Sequence, residues 1–157
     1  MPAGIFVFSQ KTKLNMLEGA TGLLKAGSSL YRLALVKSTW TPAPTTDEVW
    51  GDVSANEIAT AGQTAYAAGG ATLTSITLTQ TAGVTKFTSA AQVWTADGTG
   101  IPAWRYGVAY YLGTLNGKIN PLIGYFLGDN TPADIPLTTV GNTLTITPNA
   151  SGILSAT

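Results

Sequence analysis

The sequence predicts a mainly β fold: an antiparallel β-sandwich with a short N-terminal helix and one or two single-turn helices in a long connection. Three observations carry that expectation. Threonine recurs through the short segments after Gly69-Gly70, and its branched Cβ suits a pleated, half-exposed surface better than a helix. The run Leu30–Val36 alternates with the two-residue period of a strand. Asn116-Gly117 supplies the two positive φ angles that a type I′ hairpin loop requires. At 157 residues the chain suits a single domain, 1–157, that buries roughly 70% of its unfolded surface.

Residues 1–10 read as an extended amino-terminal arm, apolar from Ile5 to Phe8. No basic stretch precedes that run and it is too short for a secretion signal, so none is expected. No segment approaches the roughly 18 apolar residues of a membrane helix. From Ser9 to Gly27, the spacing of Leu14, Leu17, Thr21 and Leu24 predicts one helical stripe. Ser9 is placed to cap its start and Gly27 its end. Gly19 and Gly22 each cost such a helix about 1 kcal/mol relative to Ala, so a short or broken helix is expected.

The strand Leu30–Val36 sets Tyr31, Leu33 and Leu35 on one face and Arg32, Ala34 and Val36 on the other. Residues 38–64 form a long connection, in which Thr45-x-x-Glu48 and Ser54-x-x-Glu57 match the capping box and predict two single-turn helices. Strands are then expected at Thr72–Gln80, Val84–Thr88, Ala91–Trp94, Ala103–Leu112, Ile119–Leu127 and Asn142–Thr147. Pairing across the Asn116-Gly117 loop sets Val108 opposite Tyr125, Tyr110 opposite Ile123 and Tyr106 opposite Leu127. That register puts Trp104, Tyr106, Val108, Tyr110, Ile123, Tyr125 and Leu127 on a core face. The reverse face, with Gly107, Ala109 and Gly124 among Arg105, Tyr111, Leu122 and Phe126, is small in the middle and mostly apolar. Something is expected to pack closely there, either the amino-terminal helix or a neighbouring subunit.

The chemistry the chain lacks is as informative. It has no histidine and no cysteine, and its charged residues amount to 10%. Those are the side chains that most often do acid–base, nucleophilic and metal chemistry near neutral pH. Lys+Arg and Asp+Glu are both 8, so no net field draws in nucleic acid or anionic lipid, and neutrality favours association. No disulfide or cysteine–zinc site can form. No cofactor and no enzymatic function are expected.

The motifs that imitate chemistry have simpler explanations. Gly98-x-Gly100-x-x-Ala103 resembles a dinucleotide fingerprint, but Pro102 and a strand follow where a helix must open. Gly113-Thr-Leu-Asn-Gly117-Lys118 is one residue short of a phosphate loop, and Ile119 replaces the magnesium-holding hydroxyl. Asp47, Glu48, Asp52 and Glu57 offer hard oxygen ligands for calcium, but the spacing fits no calcium loop and helix capping explains them better. Asp129, Asn130 and Asp134 read as a turn. No carboxylate pair stands out for glycoside hydrolysis, and no Ser-x-x-Lys occurs. Trp40 and Trp50, in the long connection, are either folded onto the core or offered to a partner, where an exposed ring would stack on a sugar. The candidate partner contacts are Ile5, Phe6, Phe8, Trp40, Trp50, Arg105, Tyr111 and Phe126.

The order of motifs carries a resemblance. Lys11-Thr-Lys-Leu14, Tyr31-Arg-Leu-Ala-Leu-Val36, Val53-Ser-Ala-Asn-Glu-Ile58, Tyr66-Ala-Ala-Gly-Gly70, Trp94, Trp104-Arg-Tyr-Gly-Val-Ala-Tyr-Tyr111, Pro121-Leu-Ile-Gly124 and Gly152-Ile-Leu154 follow one another along most of the chain. This resembles a family of small structural proteins of tailed bacteriophages. The chain departs from that pattern with Trp104 in place of a small residue and Tyr125-Phe-Leu-Gly128 in place of an acidic Asp-Phe-Gly ending. The resemblance implies a virion component, made in the host cytoplasm and carried on the particle. The first expectation is a capsid decoration or cement protein on the head, contacting the major capsid protein or other virion proteins as a symmetric homo-oligomer, a trimer by preference. The alternatives are a tail or fibre-tip module that binds host glycan through Trp40 and Trp50, and a head–tail adaptor.

Overall fold

The computed structural model describes residues 6–17, 26–82, 84–129, 131, 133–149 and 154–156. In chain order they form β1 (Val7–Phe8), α1 (Gln10–Leu17), β2 (Tyr31–Val36), α2 (Trp50–Val53), a 3-10 turn (Ser54–Asn56), β3 (Ala71–Thr72), β4 (Thr77–Thr81), β5 (Val84–Thr88), β6 (Gln92–Thr95), β7 (Tyr106–Tyr111), β8 (Thr114–Leu115), β9 (Lys118–Ile119), β10 (Leu122–Leu127), β11 (Thr143–Ile146) and β12 (Leu154–Ala156). The fold is mainly β with few, short helices, and every named strand pair is antiparallel.

A five-stranded sheet ordered β1-β10-β7-β2-β3 forms the centre, accompanied by the smaller sheets β12-β5-β4, β11-β6 and β8-β9. Because β2 and β7 carry apolar residues at both alternations, the central sheet has a core on each face. Tyr31, Leu33, Leu35, Ala109, Ile123 and Phe126 pack against Phe87 of β5, Trp94 of β6 and Ile146 of β11, which makes the sandwich. On the other face Ala34, Val36, Val108, Tyr110 and Leu122 pack under Trp40, Trp50 and Val53 of the long connection. The second cover is therefore built of loop and single-turn helices, and aromatic side chains do the filling.

The hairpin forms as expected: Asn116 and Gly117 have φ of 49° and 73°, and Thr114 and Leu115 pair with Ile119 and Lys118. Farther along, Val108 faces Tyr125 and Tyr106 faces Leu127, but Tyr110 faces Leu122, not Ile123. An irregularity between Leu122 and Gly124 inserts Ile123 as an extra residue. Such a bulge exchanges the faces of its neighbours. Leu122 lies with Tyr110, and Ile123 lies with Ala109, the reverse of the expected assignment. Trp104 also differs from expectation. It precedes β7, bridges Ile135 and packs with Phe126 in the sandwich core.

The close packing expected on Gly107 and Gly124 is present, but neither a helix nor a second subunit supplies it. A Cβ at Gly107 would run into the ring of Phe126, its own cross-strand neighbour, and a Cβ at Gly124 would meet the Val7 carbonyl and the ring of Phe6. The arm thus adds a strand at home, pairing Val7 with Tyr125 and Phe8 with Gly124.

The described helix, Gln10–Leu17, falls within the Ser9–Gly27 expectation but is turned differently, and residues 18–25 lie outside the described residues. Among its described side chains Thr12 is buried, its hydroxyl donating to the Leu122 carbonyl at the bulge, while Leu14 is 45% exposed. Its apolar stripe therefore does not face the core at Leu14; Thr21 and Leu24 lie outside the described residues. The Ser9 hydroxyl approaches the Asp47 carbonyl at 3.5 Å.

In the connection, the box at Thr45–Glu48 gives a turn with no helix. The helix comes one step later, where Asp52 accepts the backbone N–H groups of Glu48 and Val49 at 2.9 and 3.0 Å. A carboxylate there satisfies donors that the helix start leaves orphaned. The second box places its 3-10 turn at Ser54–Asn56, but Glu57 does not reach back to cap it. The expected strand Thr72–Gln80 is interrupted at Ser75, whose φ is 51°.

Candidate functional site

The densest polar constellation surrounds Glu57. Strand β3 pairs with β2 only at Arg32 and Leu33, which leaves the rest of that edge of β2 needing partners. Segment 56–58 supplies most of them: Lys37 N donates to Asn56 O at 2.9 Å, and Ile58 N to Leu35 O at 3.1 Å. The remaining donor, Leu35 N, has no carbonyl opposite and donates instead to the Tyr66 hydroxyl oxygen at 2.8 Å. That hydroxyl in turn donates to Glu57 Oε1 at 2.7 Å, which also accepts from Gly69 N at 2.8 Å. A side chain here stands in for a missing strand residue.

The Gly69-Gly70 turn completes the arrangement. Both residues have positive φ, 81° and 73°, and a Cβ at Gly70 would run into the Leu33 carbonyl. Only glycine allows this turn to lie against β2. From the other side of the sheet, the Tyr110 hydroxyl donates to Gly69 O at 2.7 Å.

Burial raises the Glu57 carboxyl above its ordinary 4.5, outweighing the hydrogen bonds from Tyr66 and Gly69 that pull it down. Burial likewise pushes the Tyr66 hydroxyl far above the usual tyrosine range, so it stays protonated and keeps donating. Tyr110 is raised mainly by burial, against the lowering influence of Arg32. These are features of a structural clasp whose hydrogen-bonding groups are already engaged with one another.

The remaining described carboxylates are also committed. Asp47 Oδ2 accepts from Ala43 N at 2.8 Å and from Trp40 Nε1 at 3.2 Å. Glu48 pairs with Lys118 at 2.9 Å. Asp97 accepts the backbone N–H groups of Thr64 and Ala65 and the Thr64 hydroxyl, which holds its carboxyl below 3.8. Asp129 accepts from Thr131 N at 3.2 Å, as a turn requires. Asp134 binds Arg105 at 2.7 Å and Ser38 at 3.1 Å. Asp47, Glu48, Asp52 and Glu57 therefore serve separate donors, and among the described residues no group of three or more acidic, histidine or cysteine side chains converges on a metal position.

The candidate contacts fall into three groups. Trp40 and Trp50 are buried, 6% and 8% exposed. Trp40 sits edge-on between Tyr106 and Tyr125, and Trp50 stacks on Tyr110 at 4.8 Å with an interplanar angle of 5°. Neither ring is free to stack on a sugar. Phe126 is buried, while Phe6 and Phe8 are half-buried against the same core. Arg105 and Tyr111 lie at the surface margin, the first paired with Asp134 and the second edge-on to Tyr31. Ile5 lies outside the described residues. Sequence reasoning missed the role of Glu57 and Tyr66; the signal available was the Tyr66-x-x-Gly69-Gly70 spacing after Glu57.

A depression of about 10 Å³, room for no more than a single water, lies among Ser9, Trp40, Asp47, Leu122 and Tyr125; ligand pockets are usually about 300–1,000 Å³. No helix among the described residues is long and apolar enough to cross a membrane. Comparisons with protein-family models, with curated proteins and with solved structures find no match for this chain.

Proposed function

We propose that this chain is a non-enzymatic structural part of a tailed-bacteriophage particle, a decoration or cement protein that binds the head shell and copies of itself. One observation carries the non-enzymatic half. Of eight acidic residues in a chain without histidine or cysteine, the seven that are described each serve a donor within the fold. Among the described residues no carboxylate is left without a donor to serve as a free general acid or base. The particle half rests on the order of motifs along the sequence, of which Glu57, Tyr66, Gly69 and Gly70 form one clasp and Tyr31–Val36 and Tyr106–Tyr111 form adjacent strands. That pattern is a scaffold, suited to holding a surface rather than turning over a substrate.

The test is immunogold electron microscopy of intact particles with antibody to this chain. Label over the whole head supports decoration. Label at the tail alone moves the chain to an adaptor or recognition role, and absence of label overturns the virion reading. Glycan recognition through Trp40 and Trp50 is disfavoured by their burial.

A further inference from the structure

The edges of the central sheet are kept short: β1 and β3 have two residues each, and beyond β3 the 56–58 segment and Tyr66 occupy the edge of β2. Strand β4 is different. It is the outer strand of its sheet, pairing with β5 among the described strands. Thr77 to Gln80 are all exposed, Leu78 by 43%. From Thr72 to Ala82 there is no charged residue, no proline and no glycine. Natural edges are ordinarily blunted by lysine, proline, a bulge or shortness, and β4, at five residues, has none of these.

An antiparallel strand turns alternate residues' N–H and C=O groups away from its partner, and no described strand takes up those of β4, although just before it the Ile76 carbonyl accepts Gly27 N at 2.9 Å. The side-chain pattern identifies what fits. Thr77-Leu78-Thr79-Gln80-Thr81 has threonine at both ends and in the middle, so it reads nearly the same in both directions. Laid antiparallel on itself, Thr77 of one copy faces Thr81 of the other, Leu78 faces Gln80, and Thr79 faces Thr79. Facing threonines are favourable cross-strand pairs. A contact in which each residue meets its mirror position is the isologous kind that a two-fold axis generates, and zero net charge on the chain sets up no repulsion between copies.

We propose that β4 is a self-docking edge, through which two copies of this chain pair strand to strand about a two-fold axis beside Thr79. Five residues bury much less than the roughly 1,200 Å² of a stable complex. The contact is therefore weak between free copies and becomes effective when copies are held side by side. It forms pairs, in contrast to the trimer expected from sequence. The inference stands apart from the virion reading, because purified chain suffices to test it.

The chain has no cysteine, so Thr79→Cys introduces a single thiol at the axis. Directly opposed residues in an antiparallel pair have Cα atoms about 4.5–5.5 Å apart, within the span of a disulfide. Thr145→Cys, on an exposed position of β11, is the control. Under mild oxidation of the full chain, with circular dichroism verifying the fold, Thr79→Cys is expected to form covalent dimer at least about tenfold faster than Thr145→Cys. Gln80→Cys, whose mate is Leu78, is expected to fall near the control. Equal rates for Thr79→Cys and Thr145→Cys overturn the proposal, as does a faster control; a different protein as the natural occupant of this edge gives the same negative result.

Discussion

Replacing Tyr66 by phenylalanine removes one oxygen atom, and the structure gives that atom two obligations. It accepts the Leu35 backbone N–H at 2.8 Å and donates to Glu57 Oε1 at 2.7 Å. The ring is 1% exposed, so water does not reach the vacated position without rearrangement. An orphaned buried N–H costs about 1–3 kcal/mol, and a hydrogen bond to a charged acceptor contributes about 1.5–3 kcal/mol. Because both pass through the same atom and Glu57 keeps the Gly69 N–H, they do not add fully, and about 2–4 kcal/mol is expected. For a chain of this size that lowers the thermal midpoint by about 5–15 °C. The assay is urea denaturation at neutral pH, with native-state hydrogen exchange read at the Leu35 amide. A loss below about 0.5 kcal/mol, the range of ordinary surface substitutions, together with a Leu35 amide as protected as in the parent, would refute the idea that the hydroxyl completes the edge of β2.

Further outcomes follow from the same geometry. Burial raises the Glu57 carboxyl above its unfolded 4.5, so the folded state holds its proton more tightly, and stability falls as pH rises from about 4.5 through the folded value. Glu57→Gln keeps an acceptor for Tyr66 and Gly69 and is expected to abolish that fall in a pH series of denaturation curves. Asp97 is shifted the opposite way: its contribution is present above 3.8 and disappears as pH drops through its lower folded value, and Asp97→Asn removes that acid-side loss. Gly27 and Gly70 share a φ of 73°, but a Cβ meets nothing at Gly27 and strikes the Leu33 carbonyl at Gly70. Gly27→Ala is expected to cost about 1–2 kcal/mol and Gly70→Ala more than about 3 kcal/mol in the same denaturation assay. Trp50→Ala, which removes the ring stacked on Tyr110, is expected to cost about 3–5 kcal/mol, measured by the urea midpoint.

The sequence was most legible where one residue determines one backbone conformation. Asn116-Gly117 fixes a hairpin almost without help from its surroundings, and the alternation of Tyr31–Val36 announces which side chains share a face. It was least legible where tertiary contacts override local preference. The extra residue at Ile123 has no local signature, yet it reverses the faces of Leu122 and Ile123. The stripe through Leu14 is regular, but the helix buries Thr12 instead, because its hydroxyl meets a carbonyl more than a hundred residues away. Glu57 matched a local capping pattern, whereas its actual partners, Tyr66 and Gly69, come from another turn of the chain. For the candidate site, tryptophan in a loop was a sound signal that the ring mattered, but burial against Tyr106, Tyr110 and Tyr125 decides that it matters to the fold.

The pairing of β1 with β10 joins Val7 to Tyr125, and that separation sets an order of events during synthesis. At about 5–20 residues per second, on the order of ten seconds pass between emergence of the arm and emergence of the strand that receives it. Throughout that interval Phe6 and Phe8 have no groove to enter, since Gly124 has not yet been made. A five-stranded sheet whose edge strand β1 lies more than a hundred residues before the adjacent β10 closes late, as high contact order demands. Among the described strand pairs this one spans the most sequence, so it cannot form before β10 has been made.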